Sequence, residues 1–200
     1  MRQKLMVILL VAGVGAFVAG CAKPPQANID AAQAAMKTAS SAGAAEYAAD
    51  SLKAAQDAES ALEAELKVQA DKFSLFRSYS KATELAAAAK TAGDKAEQDA
   101  MAGKEKAKNE ASAVIEEAKA MLAQAQEMLA KAPKGKGTQA DLEALKADLT
   151  GAESSIADAE GAFAAERYLD ARAKAEASKT ASGNVTAAVE AAIAARSGRR

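Results

Sequence analysis

AKNEASAVIEEAKAMLAQAQEMLAKA (residues 107–132), followed at once by PKGKGT (133–138), is the stretch that decides how this chain folds. Ala107, Ala111, Val114, Ala118, Met121, Ala125, Met128 and Ala132 recur at alternating spacings of four and three, the heptad seam of a helix that packs along another helix. Pro133, Gly135 and Gly137 then break the pattern, because proline cannot continue a helix and glycine favours a turn. Beyond the break, Leu142, Leu145, Leu149, Ala152, Ile156, Ala159 and Phe163 make a second seam. Two apolar seams flanking a short turn predict an antiparallel helical hairpin, with Pro133, Gly135 and Gly137 at its tip.

Composition extends that expectation over the chain. About three residues in ten are alanine, and lysine, glutamate, glutamine and leucine supply much of the remainder. Alanine is the strongest helix former because it loses no side-chain entropy on ordering. It also buries little apolar area, at about 25 cal/mol per Å². The fold class is therefore all-α, an elongated set of antiparallel helical hairpins or a coiled-coil-like bundle, with a thin core and no deep pocket.

Working outward, a first helix is expected over residues 29–40, interrupted by Gly43. A second begins near Ser51 with Asp50 as its N-cap, and carries Leu52, Ala55, Ala58, Leu62, Leu66 and Phe73 near one face. Residues 74–80 read as a corner held by Phe73, Phe76 and Tyr79. A long third helix spans about 79–131, with Gly93 and Gly103 as places for a kink. A fourth starts near Thr138 or Asp141. A fifth covers about 167–195, with Gly183 and Asn184 as a place for a break.

The sequence also repeats. Tyr79, Ala82, Ala86 and Lys90-Thr91-Ala92 recur 89 residues later as Tyr168, Ala171, Ala175 and Lys179-Thr180-Ala181. Upstream, Leu52, Ala55 and Leu66 match Leu149, Ala152 and Phe163 at an offset of 97. This predicts an internal duplication in which each copy is a helix, a tyrosine corner and a return helix, the first copy being longer by about two helical turns.

The N-terminus has a different character. Arg2 and Lys4 precede an apolar run at 5–17, and small residues lead through Val18-Ala19-Gly20 into Cys21, the single cysteine. This is the layout of an export signal. The run of roughly 15 apolar residues falls short of the ~20 that span a bilayer. Val18, Ala19, Gly20 and Cys21 resemble a bacterial lipobox, which implies cleavage before Cys21 and covalent lipid on that residue. Two or more acyl chains give stable anchoring where one does not. Ala22 rather than aspartate follows the cysteine, which by resemblance points to the inner leaflet of an outer membrane, facing the periplasm. In a Gram-positive cell the same anchor would lie on the outer face of the cytoplasmic membrane.

The expected division is a signal peptide at 1–20, a lipidated tether at 21–28 containing Pro24-Pro25, a first helical unit at 29–132, a second hairpin unit at 138–196 and a basic tail at 197–200. Loss of the leader removes two of the 26 basic residues and none of the 27 acidic ones, leaving a net charge of −3 at pH 7. That balance argues against nucleic acid, which needs a concentrated basic surface. Arg196, Arg199 and Arg200 form only a short basic end.

A family resemblance joins these features. The Pro-Pro tether after the cysteine, the segment Ala44-Ala45-Glu46-Tyr47-Ala48-Ala49-Asp50-Ser51-Leu52, then Ala55 and Ala58, then Tyr79, Ala82, Leu85-Ala86 and Ala89 resemble, in that order, the domain-of-unknown-function 4398 family of bacterial lipoproteins. The likeness covers about residues 24–100. It implies a helical lipoprotein and transfers no catalytic residue. Some relatives continue into a peptidoglycan-binding domain of mixed α/β character, which this sequence does not contain.

Catalytic chemistry has few residue types to draw on. There is no histidine and no cysteine besides Cys21, so the commonest general base, thiol nucleophile and metal ligands are missing. Tyr47, Tyr79 and Tyr168 read as corner plugs rather than ligand contacts. Met101, Met121 and Met128 read as core fillers rather than soft-metal ligands. Glu116-Glu117 reads as solvated charge, with Glu116 pairing with Lys119. The expected function is a non-catalytic, lipid-anchored envelope lipoprotein that meets a protein partner or a second copy of itself. It needs no cofactor beyond the lipid on Cys21. The alternative is a binding module for peptidoglycan or lipid.

Overall fold

A computed structural model describes residues 22–133 and 139–197. Those residues form helices with no strand, six in all besides one 3-10 turn: α1 (Gln26–Ser41), α2 (Ala44–Tyr47), α3 (Ala49–Asp71), α4 (Ser80–Ala130), α5 (Gln139–Ala164) and α6 (Tyr168–Ser197). The chain divides into two compact units, Met1–Met101 and Ala102–Arg200, with the division inside α4. The break at 133–138 lies within the second unit. Val18, Ala19, Gly20, Cys21, Gly135 and Gly137 lie outside the described residues, and Pro133 follows the end of α4.

In the first unit, α1 starts at Gln26, three residues ahead of the expected Ile29. Pro25 is its N-cap, and the Pro25 carbonyl accepts the Asn28 and Ile29 N–H groups at 3.0 and 3.1 Å. Proline is suited to a helix start because its fixed φ costs nothing there and no donor is lost. Gly43 ends the segment at φ 83°, a left-handed conformation that glycine adopts without penalty. The single turn α2 follows. Asp50 is not the cap of α3: Ala48, at φ −148°, holds that position, and Asp50 lies in the first turn, where its charge favours the helix dipole.

Two apolar clusters fill this unit. Ile29 and Ala32 of α1, Leu62 of α3, and Tyr79, Ala82, Ala86 and Ala89 at the start of α4 form one, with Leu66 packed against it. Ala39, Ala44, Leu52, Ala55, Ala96 and Ala100 form the other. The start of α1 thus lies beside the end of α3 and the start of α4, so α1 and α3 are antiparallel and α1 and α4 parallel. Helix α4 runs through Gly93 without a break. A Cβ there would lie 2.9 Å from the Ala35 Cβ and 3.0 and 3.1 Å from the backbone of Ala35 and Met36, so its absence allows α1 and α4 to touch.

The 72–79 corner departs from expectation. Tyr79 is buried, but Phe73 and Phe76 are 67% and 75% exposed. Polar side chains fix the bend instead. Gln69 Oε1 accepts the Ser78 N–H at 3.1 Å, and Arg77 donates to the carbonyls of Lys72 and Ala70 at 3.0 and 2.9 Å.

In the second unit, α5 runs antiparallel to the α4 segment and α6. Ala125, Leu129, Ala132, Leu149, Val185 and Val189 form a core with Leu122, Met128, Leu142 and Leu145 against it. Helix α6 passes Gly183 and Asn184 unbroken. The bend between α5 and α6 is a Schellman-type cap: the Arg167 N–H reaches the Ala162 carbonyl at 2.9 Å, and Glu166 takes the left-handed position at φ 58°. Here an aromatic pair does hold the corner, with Phe163 and Tyr168 edge to face at 5.2 Å.

Candidate functional site

The residues that carry the anchor reading precede the described structure, so the surfaces of the two units are where a site is sought. In the second unit, two ion pairs join α4 to α6, Glu110–Arg172 at 2.7 Å and Glu117–Lys179 at 2.7 Å, and a third, Lys104–Glu166 at 2.6 Å, joins α4 to the bend that leads into α6. Each pair is separated by 62 residues, as parallel helices in fixed register require. Two bonds join α4 to α5: Lys119–Glu160 at 2.8 Å and Gln126–Glu153 at 2.5 Å. One number rises by seven as the other falls by seven, the mark of an antiparallel pair. Charges at heptad spacing flank the apolar seam, as in coiled coils.

Glu116 and Glu117, adjacent in sequence, therefore serve different partners. Glu116 pairs with Lys119 on its own helix at 2.9 Å, and Glu117 crosses to α6. The cross-helix role of Glu117 is an addition to the sequence reading. The seven-residue spacing of Glu110 with Glu117, and of Arg172 with Lys179, is the signal that could have revealed it.

Five groups have pKa values pushed away from neutrality. The hydrogen bonds that Lys119 donates to Glu160 and then Glu116 hold its ammonium above its ordinary pKa, and Glu117 does the same for Lys179. Lys104 holds Glu166 below the usual carboxylate range. In the first unit, Gln69 and then Lys81 lower the pKa of Glu65, and Lys95 and then Ser51 lower that of Asp99. These are charges fixed in their ionised forms.

Shallow, open grooves mark the surface of the described residues. Leu129, Leu142 and Leu149, rimmed by Gln126, Lys146 and Glu153, line one of about 470 Å³. Another, of about 350 Å³, lies between Ala27, Ala31, Ala86 and Lys90. A third, of about 220 Å³, is lined by Ile115, Phe163, Lys119 and Glu160.

Of the other candidates, Tyr79 and Tyr168 are buried at equivalent corners, as plugs should be. Tyr47 is half-buried, beside Gly43. Met121 and Met128 are half-buried, but Met101 is 62% exposed and fills no core. Among the described residues no three His, Cys, Asp or Glu side chains are grouped as metal ligands, and no helix is long and apolar enough to cross a membrane. No protein-family model, curated protein sequence or solved structure matches this chain.

Proposed function

We propose that this chain is a lipid-anchored protein of the bacterial envelope, facing the periplasm from an outer membrane, whose helical units form a non-catalytic structural or interaction module. The observation that carries the reading is Cys21, the single cysteine, preceded by Val18-Ala19-Gly20 at the end of an apolar run. Helix α1 begins five residues later, so a chain held at Cys21 has its first unit within a short tether of the bilayer. The charge pattern supports a structural role. Acid–base catalysis needs groups tuned toward neutral pH, whereas the shifted carboxylates here titrate lower than usual and the shifted lysines higher.

The test is Cys21→Ala. The wild-type chain should sediment with membranes, resist salt washing and carry acyl mass on its N-terminal residue. The variant should keep its helical circular dichroism and move to the soluble fraction. A variant that still pellets and resists salt sinks the reading. A second reading, a lipid-binding module, is favoured by the groove over Leu129, Leu142 and Leu149. Native mass spectrometry of the delipidated chain would show retained lipid if it holds.

A further inference from the structure

The corner between α3 and α4 exposes large apolar side chains without need. Phe73, Leu75 and Phe76 are 67–75% exposed within four consecutive residues, and the two rings lie 6.4 Å apart, so the three make one apolar patch. Grouped exposure of this kind marks an interaction surface, where single exposed residues would not. The patch is presented on a fixed frame. Gln69 and Arg77 tie the bend to backbone groups beneath it, and Tyr79 plugs the core behind it.

Its charge is positive. Between Glu65 and Lys81 the sequence has Lys67, Lys72, Arg77 and Lys81 against Glu65 and Asp71, in a chain whose overall charge is negative. Glu65 is itself occupied by Lys81 at 3.0 Å and by Gln69 at 2.6 Å. Arg77 bonds backbone carbonyls, so these bonds leave its charge uncancelled. The patch also lies at the end of the unit where the chain enters. Ile29, in the first turn of α1, shares a cluster with Leu62 and Tyr79. Gln26 is five residue steps from Cys21, a reach of at most about 18 Å.

We propose that the 72–77 corner is a membrane-contact tip that inserts Phe73, Leu75 and Phe76 into the interface of a bilayer carrying anionic phospholipid, with Lys67, Lys72 and Arg77 at its headgroups. Apolar side chains flanked by cations suit that interface, where acyl chains begin below a negative surface. The placement rests in part on the anchor reading, since a lipid at Cys21 would emerge at the same end of the unit. The tip would give the anchored unit a second point of attachment and so limit its orientation.

The chain has no tryptophan, so Phe76→Trp in the full-length chain provides a single local reporter. Cys21→Ser in the same chain removes the site of lipidation. With phosphatidylcholine vesicles containing phosphatidylglycerol, the indole emission should shift to the blue and be quenched by brominated acyl chains. Pure phosphatidylcholine should give a weaker response. Adding Phe73→Ser and Leu75→Ser should weaken the response by about tenfold or more. Emission that ignores vesicles overturns the proposal, as does a response unchanged by the two serines. A blue shift that grows with protein concentration in the absence of lipid assigns the patch to a second copy and overturns it too. Intact mass of the Cys21 chain from membranes reports lipidation separately, so failure of the anchor and failure of the tip are distinguishable.

Discussion

Gly93 and Gly151 are the same residue type in helix interiors, and their surroundings give them opposite roles. A methyl at 93 would meet the backbone of α1 at 3.0–3.1 Å, and backbone cannot rotate aside. Gly93→Ala therefore gains about 1 kcal/mol of helix propensity but incurs overpacking of about 1–3 kcal/mol, and the variant should be less stable in urea unfolding. Nothing lies within 4 Å of the same position at Gly151. Gly151→Ala should raise stability by up to about 1 kcal/mol. Equal shifts for the two would mean that α1 and α4 do not touch at Ala35. The sequence identified Gly93 only as a place for a kink, because propensity is local and the close neighbour is more than fifty residues away. Similarly, Phe73 and Phe76 looked like corner plugs because hydrophobicity says nothing about which side of a bend faces out. Gln69 and Arg77, which fix that bend, act through backbone bonds that leave no sequence motif.

At the scale of helices, the charge pairs on α4, α5 and α6 are exposed, and isolated exposed pairs add little stability. Their repetition at heptad spacing suits them to fixing register, since a slip of one residue unpairs the whole set. Charge reversal tests this. Glu117→Lys or Lys179→Glu alone should lower the melting temperature, and the two together should recover most of the loss. Recovery should fade at high salt, where screening shortens the reach of each charge. A double variant no better than the singles would mean that Glu117 and Lys179 are not paired. The helices themselves were legible from alternating apolar spacing. The buried face of α4 was only partly so: Ile115 and Leu129 are buried, whereas Val114, Met121 and Met128 are half-buried. A two-residue seam describes a helix with one neighbour. In the second unit α4 touches both α5 and α6, so its apolar stripe is wider.

For the molecule as a whole, the repeat extends beyond the residues that revealed it. Tyr79, Ala82, Ala86, Ala89, Gly93, Ala96 and Ala100 are buried, and so are Tyr168, Ala171, Ala175, Ser178, Ser182, Val185 and Val189, each 89 positions later. The duplication was visible in sequence through its tyrosines and its Lys-Thr-Ala run. The later positions escaped notice because serine and valine stand at 178, 182, 185 and 189 where alanine and glycine stand 89 positions earlier, with the burial alike. Ser178 and Ser182 keep buried hydroxyls without a hydrogen-bond partner, the cost of filling a small-residue site with a polar one. The anchor reading, by contrast, rests on sequence alone, since its residues lie outside the described structure. Among the described residues, 20 of the 31 buried apolar side chains are alanine. That core also sets a thermal property. Unfolding exposes little apolar surface per residue, and apolar hydration is what raises the heat capacity. Scanning calorimetry should find an increment below the 12–15 cal/mol/K per residue typical of globular domains, at about two-thirds of it or less. A chain with so small an increment has a broad, shallow stability curve, so its folded population changes gently from cold to warm.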